Sequence, residues 1–270
     1  SNGTVTKPTF TIGAGQRKTI DVSKDVGQCD VSTRVVSDLN VICERAMYWD
    51  GRRGGHDSIG ATEPSKTWYL AEGSTAWGFE TWLLLQNQDT GPAHVKVTYM
   101  TSAGPAYQPE ITLPPNSRQS ILVNGVVPDL DTSIEVASDV AICAERSMYW
   151  DNGSGRAGNN TIGFAEPATS VFLAEGSTAW GFETFVCIQN PNDKDTEVMV
   201  TYMTNDGAVA APKQKIPAGS RVTVNVNEQL PDRDVSIKLT CPDPIMAERS
   251  MYWNARGAGH ASIGWVPPAD

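Results

Sequence analysis

The chain has 270 residues, 40% of them hydrophobic and 19% charged, with a formal net charge of −10 at pH 7. That balance speaks against nucleic acid and anionic membrane surfaces, which select basic patches, so no nucleic-acid partner is expected. Apolar runs such as Trp82-Leu83-Leu84-Leu85 fall far short of the roughly 20 residues needed to cross a bilayer, and no membrane insertion is expected.

Read in chain order, the sequence repeats itself. TIGAGQRKTIDV (11–22) is followed by VICERAMYWDGRRGGHDSIG (41–60). Then comes LAEGSTAWGFETWLLLQN (70–87), then TLPPNSRQSILV (112–123) and AICAERSMYWDNGSGRAGNNTIG (141–163). The same three blocks return as LAEGSTAWGFETFVCIQN (173–190), KIPAGSRVTVNV (215–226) and PIMAERSMYWNARGAGHASIG (244–264). Glu44, Glu145 and Glu248 mark a period of about 102 residues. Residues 9–64 are a partial unit, 66–167 and 168–267 are complete ones, and 1–270 reads as a single repeat-built β domain. The partial unit has no AEGST block.

Each unit is rich in Val, Ile, Thr and aromatic residues, is punctuated by Gly, Pro, Asn and Asp, and lacks a sustained 3.6-residue period, which predicts an all-β fold. In the second unit, strands are expected near 67–72, 79–86, 94–101, 108–113, 118–123, 132–138, 141–150 and 159–164. Each unit divides further into two half-repeats with the same order of strand, polar turn, aromatic-ended strand and glycine loop. Five four-stranded meanders of about 50 residues match a five-bladed β-propeller. Propeller blades are covered on both faces, in keeping with uninterrupted runs such as Phe185-Val186-Cys187-Ile188. The rival architecture is a string of immunoglobulin-like sandwiches, one per 100-residue unit.

In a meander, the GSTAWGFET loop and the glycine loop of the preceding half emerge at one end. This arrangement places Arg53 and His56 near Trp77 and Glu80, and Arg156 and Asn159 near Trp180 and Glu183, with Arg256 and His260 as a third, partial set. An indole face flanked by Arg, Glu, Asn and His suits stacking a sugar ring or gripping a peptide. The alternative is that Trp77 and Trp180 plug the loop onto the neighbouring sheet, and verbatim copying of the loop favours that role. Adjacent strand residues point to opposite faces, so each Glu and Arg of CERAMYW and AERSMYW should pair with a neighbouring strand or sheet rather than with each other.

Catalysis has little to stand on, and no enzymatic activity is expected. The chain has three histidines, no GxSxG and no HExxH, and no carboxylate pair departs from the repeat as a glycosidase would need. No cofactor is required; Ca²⁺ is a weak candidate at Asp129, Asp131, Asp232 and Asp234, although Asp is also an ordinary turn residue. The five cysteines include no CxxC pair and read mainly as buried thiols.

The elements AEGSTAWGFET, LLLQN, VTYMT, AERSMYW and GHDSIGA resemble uncharacterised tandem repeats of about 100 residues in secreted and cell-surface proteins of actinobacteria and related bacteria. The resemblance implies a secreted or cell-surface setting and an adhesive or accessory role, with a glycan or cell-envelope component as partner. A purely structural surface repeat without a ligand is the second expectation, and a glycoside hydrolase the third.

Overall fold

The computed structural model describes residues 3–267. It is all-β, built of curled antiparallel sheets. The partial first copy contributes a short helix α1 (Val22–Val26) and a hairpin, β1 (Glu44–Trp49) and β2 (Gly54–Ile59). The second copy holds β3 (Ser65–Leu70), β4 (Glu80–Asn87), β5 (Ala93–Thr101), β6 (Gly104–Tyr107), β7 (Ile111–Leu113), β8 (Ser117–Leu122), β9 (Thr132–Asp151) and β10 (Arg156–Ile162). The third repeats this order as β11 (Ala168–Leu173), β12 (Glu183–Asn190), β13 (Thr196–Thr204), β14 (Gly207–Ala210), β15 (Gln214–Ile216), β16 (Ser220–Asn225), a one-turn helix α2 (Val226–Gln229), β17 (Ser236–Trp253) and β18 (Ala258–Ile263).

Strand positions in the second copy follow the expected ones closely, but their pairing does not follow chain order. The first part of β9 lies between β3 and β5, and its second part lies between β4 and β10, with β8 on the far side of β4. Residues 132–138 and 141–150, expected as separate strands, are one 20-residue strand that passes from one group to the other. The consecutive four-strand meander is therefore not the unit of pairing. Both groups supply one core: Leu83 and Leu85 from β4 meet Val95, Val97 and Tyr99 from β5 and Ile134 and Val136 from β9. Burying each such side chain contributes about 1.5–3 kcal/mol. The third copy builds the equivalent core.

The TIGAGQRKTIDV segment shows what the missing block does. Its counterparts β8 and β16 pair with β4 and β12, which come from the AEGST blocks. The first copy has no such strand, and residues 11–21 form none themselves. Val36, Leu39 and Ile42 of the same copy are exposed for the same reason.

Successive copies meet through joints that repeat. Arg45 Nη2 pairs with Glu145 Oε2 at 3.1 Å, and Arg146 Nη2 with Glu248 Oε2 at 3.0 Å. The indole N–H of Trp49 donates to the Arg156 carbonyl at 2.7 Å, and that of Trp150 to the Arg256 carbonyl at 2.6 Å. The ring of Trp49 stands edge-on to Tyr149 at 5.5 Å, as Trp150 does to Tyr252 at 5.3 Å. Asp30 pairs with Arg118 at 3.1 Å, and Asp131 with Arg221 at 3.4 Å. Four contacts, each made twice, define one head-to-tail interface. They also show where the Glu-Arg arginines go: Arg45 and Arg146 each reach a carboxylate of the next copy rather than the chain neighbour.

Candidate binding site

The two AEGSTAWGFET loops are built alike. The Thr75 hydroxyl donates to the Val127 carbonyl at 2.5 Å, and the Thr75 and Leu130 backbones are bonded at 2.9 Å. Asn124 clamps the loop exit, donating to the Phe79 carbonyl at 2.8 Å and accepting from the Thr81 N–H at 3.0 Å. Thr178 and Asn227 do the same work in the third copy. Between these clamps the chain turns tightly, with the N–H of Phe79 on the carbonyl of Ala76 and that of Phe182 on Ala179, both at 2.9 Å. The turn drives Trp77 and Trp180 into the left-handed region, at φ 52° and 51°. For a residue with a Cβ this costs about 1–2 kcal/mol, and it persists because the surrounding bonds fix it.

Neither tryptophan plugs the loop. Trp77 is 75% exposed and Trp180 78%. The plug is the phenylalanine two positions on: buried Phe79 packs on Trp150 at 5.2 Å, and Phe182 on Trp253 at 5.7 Å. The expectation that Trp77 and Trp180 plug the loop does not hold. The tight turn points the indole away from the sheet and the following phenyl ring into it.

Two more expected sites sit beside these loops, with exchanged partners. Arg156 pairs with Glu80 at 2.7 Å, and Arg256 grips Glu183 through Nε at 3.0 Å and Nη2 at 2.5 Å. The expectation placed Arg53 by Glu80 and Arg156 by Glu183. The β4–β9 register, with Glu80 opposite Tyr149, brings the hairpin of the same copy beside each loop instead. Glu80 also accepts the Trp82 indole N–H at 2.7 Å, and Arg156 lies over the Tyr149 ring at 4.5 Å. Arg53 donates to the Asp50 carbonyl and is exposed.

The remaining residues meet at a cleft of about 250 Å³ where the β2, β10 and β18 edges converge, lined by Arg53, His56, Asp57, Arg156, Asn159, Asn160, Trp253 and His260. His56, Asn159 and His260 hold equivalent positions and bind the arginine of their own hairpin: Arg45 to His56 Nδ1 at 3.5 Å, Arg146 to Asn159 Oδ1 at 3.1 Å, Arg249 to His260 Nδ1 at 3.1 Å. His56 also meets the Tyr149 hydroxyl at 3.0 Å. Burial, then the Arg45 charge, push the His56 pKa down to about 4, and the same causes with Arg249 lower that of His260. Buried Asn159 and Asn160 line the cleft, and Asn159 Nδ2 and Asn160 Oδ1 have no hydrogen-bond partner among the described residues. Glycines 55, 158 and 259 let the backbone pass under Tyr48, Tyr149 and Tyr252; a Cβ there would sit 2.7–2.8 Å from a ring carbon.

Beneath the cleft is a charge network that sequence reading found only in part. Arg146 is fully buried between Glu72, at 2.9 Å, and Glu248, at 3.0 Å. Glu248 also accepts the Ala71 N–H at 2.7 Å, and the Tyr252 hydroxyl donates to Glu72 at 3.1 Å. Burial and the neighbouring Glu72 charge outweigh Arg146 and push the Glu248 carboxyl up to about 7. Burial opposes the charge on Arg146, but Glu72 and Glu248 together hold its pKa above the usual value. Glu72 was not singled out from the sequence; the signal for it is its place in the copied AEGST block.

Similarity to known proteins is limited. A model for a family of unknown function (DUF5719) matches residues 137–240, a stretch one repeat long. No curated protein matches the chain. Among solved structures, Thermotoga maritima 1070 is 17% identical with a TM-score of 0.35, over 37% of this chain and 94% of that one. The Anabaena sensory rhodopsin transducer is 23% identical with a TM-score of 0.29, over 32% and 99%. Likenesses this distant carry no functional argument.

Asp131 pairs with Arg221 across the second joint, while Asp129 and Asp232 occupy left-handed turn positions. Among the described residues no group of three or more His, Cys, Asp or Glu gathers as a metal site. All five cysteines are free, and burial pushes the thiols of Cys143 and Cys187 up to about 11 and about 12. No helix among the described residues is long and apolar enough to cross a membrane.

Proposed function

We propose that this chain is a non-catalytic extracellular binding or adhesion module, secreted or held at the cell surface, that takes carbohydrate or another cell-envelope component on the faces of Trp77 and Trp180. One observation carries the reading: two identical loops hold a large indole in solvent on a strained, over-determined backbone. Folding gains nothing from an exposed indole, and strain kept in duplicate suits a binding role. The flat rings suit the apolar face of a sugar, and the Glu80–Arg156 and Glu183–Arg256 pairs beside them offer polar groups for its hydroxyls. Nothing in this reading calls for a metal or cofactor, and the acidic surface speaks against nucleic acid. We read the architecture as two-layered, sandwich-like units joined head to tail rather than as propeller blades, because β9 and β17 each serve both strand groups of their copy.

A glycan array probed with the wild-type chain, followed by calorimetry on any hit, tests the proposal. Trp77→Ala and Trp180→Ala should each weaken binding by up to about tenfold, and the double variant should abolish it without changing the fold. Binding untouched in the double variant, or no glycan bound at all, refutes it. The latter result would favour the second reading, a structural surface repeat, which draws support from Arg156 and Arg256 being already neutralised by Glu80 and Glu183.

A further inference from the structure

The joint that repeats inside the chain has one unmatched half in the first copy and another in the third. In the second copy, Arg146 has two carboxylates, Glu72 of its own copy and Glu248 of the next. Its counterpart Arg249, also buried, has one carboxylate, Glu175, which is 70% exposed where Glu72 is sealed in. Trp253 stacks on Phe182 of its own copy but has no tyrosine of a following copy and no backbone carbonyl for its indole N–H, among the described residues. Asp234, which corresponds to Asp30 and Asp131, has no ion-pair partner among the described residues. The third copy thus carries the donating half of the joint with nothing seated on it.

The first copy carries the receiving half. Glu44 corresponds to Glu145 and Glu248 and is exposed. Tyr48 corresponds to Tyr149 and Tyr252, which are shielded by the preceding tryptophan, yet it is 62% exposed. The two free halves do not satisfy each other within one chain. The β10 strand packs against both β2 and β18, whereas β2 and β18 share no extensive packing.

We propose that the chain associates head to tail with a second copy of itself, the β1 strand of one chain seating on the β17–β18 hairpin of the other. The occupant is argued from continuity: the two joints already present show what this surface binds, and the charges match, with Arg249 of one chain facing Glu44 of the other. The lowered pKa of Arg249, caused first by burial, fits a cation still short of its second carboxylate. A heterologous contact of this kind closes into a ring or runs on as a filament according to the rotation at each joint. This inference does not rest on the sugar-binding reading.

Sedimentation velocity on the full 270-residue chain, from micromolar to submillimolar concentration, tests it. The wild-type sedimentation coefficient should rise with concentration. Glu44→Arg and Tyr48→Arg, at exposed positions that leave the fold intact, should each weaken association by about 30-fold or more. Arg249→Glu should do the same from the opposite face. An equimolar mixture of Glu44→Arg and Arg249→Glu chains should associate again, because the intact Arg249 face of one meets the intact Glu44 face of the other. Circular dichroism checks that Arg249→Glu is folded; if it is not, the two exposed variants decide alone. A wild-type chain that stays monomeric throughout, or association indifferent to both Glu44→Arg and Tyr48→Arg, overturns the proposal.

Discussion

The two AERSMYW strands have the same sequence and different surroundings. In the second copy, Arg146 is sealed under the third copy and shared by two buried carboxylates; in the third, Arg249 meets one exposed carboxylate. The strands β4 and β12 differ in the same way. Burial alternates strictly along β4, whereas Cys187, Ile188, Gln189 and Asn190 of β12 are all buried. The third copy's strand is covered from outside by the second, through contacts such as Gln189 Nε2 with the Ile134 carbonyl and Arg221 with Ser133. Neighbours, not sequence, decide how much each copy buries.

The largest test of that contrast is to remove each arginine in turn. Arg146→Met strands two buried carboxylates and should cost about 3–5 kcal/mol. Arg249→Met leaves only an exposed one and should cost about 1–2 kcal/mol. Urea denaturation monitored by tryptophan fluorescence reads both, and equal losses would erase the distinction.

Acid–base behaviour sharpens it next. Glu248 titrates near 7 when folded and lower when unfolded, so the folded state binds the extra proton in that window. Its contribution is therefore present in acid and is lost as pH rises from about 4.5 to about 7, by at most about 3 kcal/mol. His56 runs the other way. Its folded value of about 4 lies below the unfolded value near 6.5, so its contribution is present above pH 6.5 and is lost as pH falls towards 4, by a similar upper bound. Glu248→Gln should flatten the first slope. His56→Asn, which installs the residue that Asn159 supplies in the second copy, should flatten the second. Stability–pH profiles that keep their slopes in these variants would show that other groups govern them.

The smallest expected effect lies in the loops. Trp77→Gly removes the left-handed strain and a side chain that touches little, and should stabilise the fold by up to about 1 kcal/mol. A loss of stability in the thermal melt would mean that the exposed indole does contribute to folding.

The positions of the strands were legible because Val, Ile and aromatic runs bounded by Gly, Asn and Asp leave little choice of local structure. The pairing was not. A meander and the observed crossing of β9 between strand groups have the same local pattern, and only long-range burial separates them. The loop showed the same limit: verbatim copying made Trp77 look structural, while the left-handed turn gave the inward role to Phe79.

By itself, then, the amino-acid order determined a duplicated all-β unit, the places of its turns, and that Glu and Arg on one strand must seek separate partners. Those are consequences of backbone preference and of two-residue alternation, which act over a few neighbours. Only the tertiary structure decided that Arg156 rather than Arg53 reaches Glu80, that residues 11–21 remain unpaired, and that one AERSMYW arginine meets two carboxylates while the other meets one. Each of those outcomes depends on surfaces far away in the chain, 76 residues for Glu80 and Arg156 and 102 for Arg146 and Glu248, and no local pattern carries that information.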